Sequence, residues 1–440
     1  MGQSYRVHLS LGENVTQTLE RPALDVANAP LYIPDVEDFI PSADDYIRFR
    51  SKYPRLRGGQ SSQPVAPAIP FIASAHEHAE SAPVITQALS ATSAFTTYEF
   101  NVPSYGYIRA LWLDVNATGG TGTAAIYAAD APFTALEQLT FLDTNGAPIF
   151  GPCTGYNTFL SNLYGGYVYQ QDIRQNPNYN GGATSGNFRY QVRIPIEISH
   201  HDATGCIGNQ NASAPYRIRL SINPAASIYT TPPTGYPTLT VTPVLEAWSL
   251  PNAVDALGRP QAQLPPNYGT VQYWSERNVT GILSGNNYVQ VLRVGNLIRN
   301  LIFICRETSA SGPRSDNVSP EYPIVNWDAR QLFNETRIYR QNRTYEVLES
   351  IPTNGRPAGV YGYTFDRTIQ DRAGDDKPWL WLPTVEATRL EWTGTFTTGG
   401  VVQILVNDIA PAEVNPTQRY ALPSATGFHP SGEVPNPNMP

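Results

Sequence analysis

The chain has 440 residues, of which 41% are hydrophobic and only 15% are charged. This length is sufficient for two or three domains that each bury a core, and the hydrophobic fraction is typical of globular proteins. The net charge of -8 at pH 7 argues against a dedicated nucleic-acid-binding protein, because such proteins carry a basic surface. We therefore expect no specific binding to nucleic acid.

Turn-forming residues are abundant, with 39 prolines and 34 glycines. Many turns between many short strands would account for this composition, so the sequence predicts an all-β fold. Cys153, Cys206 and Cys305 are far apart and predict buried thiols rather than a disulfide framework or a zinc site. The sequence shows no signal-peptide pattern and no apolar run long enough to span a membrane, so we expect a soluble protein made in a cytoplasm.

Residues 1–92 are predicted to form an extended N-terminal arm, because recurrent prolines disfavour long helices and central strands. One short helix is predicted after Ser42, with Tyr46, Phe49 and Tyr53 on one face. Five cations lie among and after these aromatic residues: Arg48, Arg50, Lys52, Arg55 and Arg57. Two interpretations remain open. Either the aromatic face packs on the same or a neighbouring subunit with the cations in solvent, or the basic end contacts an anionic surface such as lipid headgroups or nucleic acid.

Residues 93–250 are predicted to form a first β-domain. Arg189–Ile198 alternates polar and apolar side chains, as expected of a strand with one buried face. Asn157–Tyr164 predicts a short helix, and the polar segment Gln170–Gly186 predicts a surface loop. The predicted strands are Thr97–Val102, Tyr107–Val115, Thr123–Ala128, Glu137–Leu142, Asn187–Ser199, Tyr216–Asn223 and Thr238–Trp248.

A proline-rich linker is predicted at residues 251–270, followed by a second β-domain at 271–412 and a loose C-terminal tail at 413–440. Arg343–Glu349 predicts the counterpart of the short helix in the first domain. The predicted strands are Val271–Trp274, Tyr288–Arg293, Leu297–Arg306, Arg330–Tyr339, Trp379–Leu382, Thr388–Phe396 and Val401–Asn407.

Two short motifs recur at a spacing of about 190 residues. The sequence Ile-Arg-Ala-Leu at 108–111 is matched by Ile-Arg-Asn-Leu at 298–301, which opens the apolar run Leu297–Arg306. Leu136–Phe141 is matched in the same way by Ala329–Phe333. The shared order and the near-constant offset predict two tandem copies of one β-sandwich domain.

Motifs for catalysis, nucleotide binding and metal binding are absent from the sequence, so we predict no catalytic, cofactor-binding or metal-binding residue and a chain that is not an enzyme. The cluster His200–Asp202 is typical of a solvated turn, with a metal site as the alternative. Asp375–Asp376 lies in a charged segment that is typical of a turn. Glu386 and Glu391 form the carboxylate pair that a glycosidase could use, which keeps a β-sandwich enzyme as an alternative.

Two fused eight-stranded sandwiches are the plan of the double jelly-roll capsid proteins of the tectivirus and adenovirus lineage, and this sequence resembles that family. The resemblance rests on the paired Ile-Arg-x-Leu strands, the short helix in each half, the linker, the arm and the longer loops of the first copy. It covers roughly residues 96–412. It implies an all-β fold of two tandem eight-stranded jelly rolls (a double jelly roll), with a short helix in each and an extended N-terminal arm.

The resemblance also implies a major capsid protein of the virion, formed in the host cytoplasm during assembly. Such a protein would form homotrimers of pseudo-hexagonal outline that tile an icosahedral shell around an internal membrane and double-stranded DNA. Its partners would be neighbouring capsomers, minor or vertex capsid proteins, and membrane lipids through the cations of the arm. The alternatives are a minor capsid or vertex protein, and a tandem β-sandwich adhesin or glycan-binding protein.

Overall fold

In the computed structural model, the chain divides into two units, one of residues 1–70 with 251–263 and one of residues 71–250 with 264–440. The structure describes residues 5–10, 16–21, 77–91, 94–168, 183–199, 203–249, 270–328, 330–348, 358–366, 380–384 and 387–410. In the first unit, strands β1 (Tyr5–Ser10) and β2 (Thr16–Arg21) pair antiparallel. The second unit contains two jelly rolls, which we call the first and the second roll.

The first roll is built from strands and two helices. The strands are β3 (Glu77–Ser81), β4 (Ile85–Ala88), β5 (Thr96–Asn101), β6 (Tyr107–Thr118), β7 (Ile126–Tyr127), β8 (Leu136–Leu142), β9 (Pro148–Cys153), β10 (Phe188–Pro195), β11 (Ile207–Gly208), β12 (Arg217–Ile222), β13 (Tyr229–Thr231) and β14 (Thr238–Trp248). The helices are α1 (Gly155–Tyr164) and α2 (Ala225–Ile228). One sheet has the order β10-β6-β14-β3, with β4 also along β14, and the other has the order β9-β8-β12-β5.

The second roll has the same plan. Its strands are β15 (Val271–Ile282), β16 (Gly285–Gln290), β17 (Leu297–Arg306), β18 (Ile324–Trp327), β19 (Arg330–Asn334), β20 (Val360–Thr364), β21 (Leu382–Pro383), β22 (Leu390–Phe396) and β23 (Gly400–Ala410), and its helix is α3 (Arg337–Leu348). The sheets have the orders β20-β17-β23-β15 and β16-β22-β18-β19. The first of them continues into the β9-β8-β12-β5 sheet of the first roll, because β15 pairs with β9 in parallel.

The two rolls agree strand for strand. When β3 and β4 are taken as one interrupted strand and the shortest strands are left out, the described residues of each roll form eight strands. One sheet then contains the first, eighth, third and sixth strands, and the other contains the second, seventh, fourth and fifth. A helix follows the fifth strand in both rolls, α1 after β9 and α3 after β19. This arrangement confirms the predicted double jelly roll.

The third strands of the two rolls differ in how they are buried. In β6, buried Leu113 and Val115 alternate with partly exposed residues, so one face points to the core and the other away from it. In β17, Leu301 and Phe303 belong to the core of the second roll, whereas Ile302 packs into the core cluster of the first roll. Burial on both faces explains why residues 301–305 of this strand are continuously apolar.

Several predicted strands need correction. Leu297–Arg306 and Thr238–Trp248 have the predicted bounds. The predicted strands at 123–128 and 379–382 are reduced to Ile126–Tyr127 and Leu382–Pro383 in the described residues. The strands that were missed include three that are short, two of which contain glycine or proline, which weakens the strand pattern: Pro148–Cys153, Ile324–Trp327 and Val360–Thr364.

The predicted strand Arg330–Tyr339 is wrong beyond Asn334, because helix α3 begins at Arg337 rather than at the predicted Arg343. The Thr336 hydroxyl accepts a hydrogen bond from the Tyr339 N–H at 3.2 Å and caps the helix there. The proposed match between Leu136–Phe141 and Ala329–Phe333 is also wrong, since the two segments lie in the fourth strand of one roll and the fifth strand of the other.

The segment predicted as an arm supplies a strand to the first roll. β3 and β4 fall within residues 1–92 and pair with β14 at the edge of its sheet, with Pro83 between them. An edge tolerates proline because one side of the strand needs no ladder hydrogen bond. The predicted helix after Ser42, the linker up to residue 269, most of the loop Gln170–Gly186 and the C-terminal tail lie outside the described residues.

Candidate functional site

An arginine in the third strand of each roll forms a β-bulge. The register between β6 and β14 shifts at Arg109, and the register between β17 and β23 shifts at Arg299. These are the arginines of the repeated Ile-Arg-x-Leu motif, so the sequence repeat marks an equivalent irregularity of the backbone. A bulge leaves one residue out of the ladder and redirects its side chain.

Each bulged arginine pairs with a carboxylate two residues beyond the sixth strand. Arg109 Nε donates to a Glu197 carboxylate oxygen at 3.0 Å, and Arg299 Nη2 lies 3.4 Å from a carboxylate oxygen of Asp366. The carbonyl of Arg109 also accepts the Glu197 N–H at 2.7 Å, and the carbonyl of Arg299 accepts the Phe365 N–H at 2.8 Å. An equivalent ion pair therefore links the third strand to the residues after the sixth strand in both rolls.

The two arginines have different surroundings. Arg109 stacks on the Trp248 ring at 3.7 Å and also contacts Glu77, all within the first roll. Arg299 reaches across to the first roll, where it donates to the Gly165 carbonyl at 2.7 Å and to the Tyr167 hydroxyl at 3.3 Å. The arginine of the buried Arg299–Asp366 pair thus also connects the second roll to the first.

The apolar part of this junction lies between α1 and one sheet of the second roll. Ile302, Ile304 and Leu405 belong to the same buried cluster as Leu160 of α1. Gly362 lies beside Ile302 on the neighbouring strand, and a Cβ atom at this position would overlap the ring of Tyr164 at the end of α1. The glycine therefore allows the helix to lie directly against the sheet.

The polar part of the junction includes the start of α1. The Thr154 hydroxyl accepts the Asn157 N–H at 3.2 Å, and the Thr154 N–H donates to the Glu276 carboxylate of β15 at 3.1 Å. A carboxylate is favourable there because the N-terminus of a helix carries partial positive charge. Burial nevertheless raises the pKa of Glu276 above its ordinary value.

A second ionic contact joins the rolls near the same helix. Asp130 of the first roll lies 2.6 Å from Arg306 and 2.6 Å from Arg314 of the second roll. The Arg314 guanidinium stacks 4.5 Å from the centre of the Tyr156 ring in α1. Arg314 Nε donates a charged hydrogen bond to Asp130, and bonds of this kind constrain geometry, so the contact restricts the orientation of one roll on the other.

The equivalent sheet of the first roll presents a different surface, which we call the Trp112 face. Its members are the outward-directed side chains of β6, β10 and β14: Trp112, Asp114, Gln191, Arg193, Thr242, Val244 and Glu246. Arg193 Nη2 lies 3.7 Å from the Glu246 carboxylate, and Asp114 pairs with Arg189 at 2.8 Å. Trp112 and Val244 remain partly exposed. The face is therefore mixed, with apolar side chains among ion pairs.

The described residues provide little for catalysis. They contain no group of three or more His, Cys, Asp or Glu side chains that could hold a metal ion. Glu391 is buried and pairs with Arg389 at 2.5 Å, whereas its proposed partner Glu386 lies outside the described residues. His200–Asp202, Asp375–Asp376 and the five arm cations Arg48, Arg50, Lys52, Arg55 and Arg57 also lie outside them.

Two further observations concern the membrane and the thiols. None of the helices in the described part of the chain is both long and apolar enough to cross a membrane. Cys153, Cys206 and Cys305 are buried thiols, as the sequence predicts.

Solved structures with the same fold are known. The chain is similar to the STIV MCP, with 14% identity and a TM-score of 0.50 over 76% of this chain and 96% of the other. It is also similar to a chain of the atomic structure of Sulfolobus Turreted Icosahedral Virus, with 14% identity and a TM-score of 0.51 over 76% and 90%. These likenesses agree with the double jelly-roll fold. No protein-family model matches the sequence, and a comparison with curated proteins finds no match.

Proposed function

We propose that this chain is a structural capsid protein that assembles as a trimer and tiles the shell of an icosahedral virus. The observation that carries the proposal is the repetition of one jelly roll, strand for strand, within a single chain whose rolls are fixed on each other by a buried junction. The fold shared with the STIV MCP supports it. We expect no enzymatic activity.

The physical argument is one of symmetry. Three copies of a chain with two similar rolls place six similar rolls around a threefold axis, which gives a nearly hexagonal outline. Contacts between different surfaces of neighbouring chains close such a ring, and tiles of this shape can cover a surface. The partners would be neighbouring capsomers and minor or vertex proteins, and the assembled protein would belong to the virion after assembly in the host cytoplasm.

The proposal extends to the division of the chain. The arm would precede the first roll, residues 251–270 would link the rolls, and residues 413–440 would form a tail. The arm cations Arg48, Arg50, Lys52, Arg55 and Arg57 would lie on the inner side of the shell, near an anionic lipid surface. Replacing all five by serine should abolish co-sedimentation of the full chain with vesicles that contain anionic lipid. Unchanged co-sedimentation would contradict this role.

The state of assembly provides the test of the main proposal. Sedimentation velocity and native mass spectrometry of the purified full chain should give a trimer, and negative-stain images should show particles with six lobes. A monomer at every concentration, together with binding to a glycan array, would refute the capsid proposal and favour an adhesin.

A further inference from the structure

Helices α1 and α3 begin in the same way. In each, a threonine hydroxyl accepts the N–H of the third residue after it at 3.2 Å, Thr154 in the first roll and Thr336 in the second. Both helices follow the fifth strand of their roll. Positions in the two helices can therefore be paired: Tyr156 with Ile338, and Asn157 with Tyr339.

The paired positions differ in exposure. Tyr156 and Asn157 are 6% and 0% exposed, and Tyr156 lies beneath Arg314 of the second roll. Ile338 and Tyr339 are 65% and 55% exposed. Two adjacent large apolar side chains in water mark a surface for binding when they occupy positions that are interfacial in a structural equivalent.

Equivalent positions can also be identified in the two sheets that these helices could cover. Counting from the bulged arginines, one row of cross-strand neighbours is Val244, Trp112 and Arg193 in the first roll and Leu405, Ile302 and Gly362 in the second. The next row is Thr242, Asp114 and Gln191 in the first roll and Gln403, Ile304 and Val360 in the second. The Trp112 face therefore occupies the place of the surface that α1 covers in the second roll.

We infer that α3 of one copy of this chain docks on the Trp112 face of a second copy, and that this contact repeats between chains the contact of α1 with the second roll within a chain. The inference rests on the proposed trimer and names its interface. Each copy offers one such helix and one such face, so the contact is between unlike surfaces. Three copies can satisfy all of them in a closed ring.

The chemistry of the two surfaces is complementary. Trp112 and Val244 give the face an apolar centre against which Ile338 and Tyr339 can pack, and tryptophan and tyrosine are enriched among residues that dominate interfaces. The carboxylates of Asp114 and Glu246 are partly exposed at the edge of this centre, and the exposed side chain of Arg343 in α3 carries the opposite charge. An apolar centre with a charged rim is the usual anatomy of a protein interface.

The helix is tested by the double variant Ile338→Asp, Tyr339→Ser in the full chain. Both side chains are largely exposed, so the fold of one chain should not depend on them. We expect association of the trimer, measured by sedimentation equilibrium, to weaken by about 30-fold or more, as for loss of an interface hot spot. Leu283→Asp is the matched control, because Leu283 is 70% exposed in the same roll but lies outside the proposed contact.

The face is tested by Trp112→Asp and, as a milder variant, Val244→Asp, with cooperative urea unfolding as the check on folding. A mixture of the α3 double variant with the Trp112→Asp variant gives a sharper result. Intact α3 is then present only on one chain and an intact face only on the other. We expect mixed dimers that contain one of each chain, and no trimers.

The outcomes separate this inference from the proposed function. A wild-type trimer that dissociates in the α3 and face variants but not in Leu283→Asp supports the interface. A wild-type trimer that all the variants preserve would overturn the interface and leave the capsid proposal standing. A wild-type monomer would overturn both.

Discussion

In each roll, the sheet that contains the first, eighth, third and sixth strands has one face directed away from the core of that roll. These two faces hold the same place in the fold and differ in chemistry. In the second roll Ile302 and Ile304 occupy this face and are covered by the first roll. In the first roll the same positions are Trp112 and Asp114, which remain partly exposed. A face that is sealed within one chain can place apolar side chains at positions such as Ile302 and Ile304, whereas a face that meets water before assembly retains more polar side chains.

The neighbouring strand shows the same adaptation. Gly362 of the second roll leaves room for the ring of Tyr164, whereas the equivalent position in the first roll is Arg193, which is almost fully buried. Arg193 lies 5.1 Å from the centre of the Tyr167 ring. What covers a strand thus determines the size of residue that the strand can hold, even where the backbone is the same.

Substitution of the arginine at the β-bulge of the second roll should give the largest loss of stability. Arg299 and Asp366 are both almost fully buried, so Arg299→Met would remove the positive charge of a buried ion pair and keep its buried carboxylate. We expect a loss of about 3–5 kcal/mol in the free energy of unfolding. Arg109→Met should cost less, about 1–3 kcal/mol, because Trp248 Nε1 still donates to Glu197 at 2.9 Å. Urea unfolding followed by tryptophan fluorescence measures both.

A double variant tests whether the loss of stability comes from leaving one charge of the buried pair in place. Arg299→Met with Asp366→Leu removes both charges and should recover most of the lost stability, since a buried ion pair can often be replaced by apolar groups without loss. Equal losses for Arg299→Met and Arg109→Met would show that the hydrogen bond from Trp248 to Glu197 does not offset the loss of Arg109.

A substitution on the face of the second roll that the first roll covers should give the next largest loss of stability. Ile304→Ala removes side-chain atoms from a sealed junction and should cost about 2–5 kcal/mol. Asp114→Ala, at the equivalent position, removes only a partly exposed ion pair and should cost about 1 kcal/mol or less in the dissociated chain. Similar losses in urea unfolding at low protein concentration would contradict the distinction between the two faces.

The sequence predicts those parts of the fold that depend on long and fully buried strands. The apolar run at 297–306 is recognisable in the sequence because both faces of this strand are buried. Its Arg299 also matches Arg109 in the third strand of the first roll. The short fourth and fifth strands carry too few apolar residues to fix their order, which explains the wrong match of Leu136–Phe141 to Ala329–Phe333. Helix α3 begins early for a related reason, since its first turn exposes Ile338 and Tyr339.

The junction could be predicted only in part. The repeated motif identifies Arg109 and Arg299, but their partners Glu197 and Asp366 follow sixth strands of unlike sequence. Pairing them requires the path of the chain in space. The role of Gly362 is also invisible in the sequence, because it depends on a helix that is distant along the chain.

Substitution of Glu276 should give the smallest change in stability. It lies beside Arg306 and Glu137 and accepts the Thr154 N–H, and burial raises its pKa above the ordinary value of 4.5. The folded chain therefore binds this proton more tightly than the unfolded chain does. The resulting stabilisation is complete below the unfolded-state pKa and is lost as pH rises through the raised pKa. Glu276→Gln keeps an acceptor for the Thr154 N–H but does not titrate.

Relative to Glu276→Gln, the wild-type chain should therefore lose stability as pH rises above the ordinary pKa of 4.5 and through the raised pKa of Glu276, by less than the core variants described above. Ser81 occupies the corresponding place along the first strand of the first roll, as the pairing of Val244 with Ser81 and of Leu405 with Glu276 shows. Ser81→Ala should show no such dependence on pH, because no proton is bound there. If the wild type instead gained stability over Glu276→Gln with rising pH, the helix N-terminus would outweigh burial in setting the charge of Glu276, and this part of the junction would be held by an ionised rather than a protonated carboxyl group.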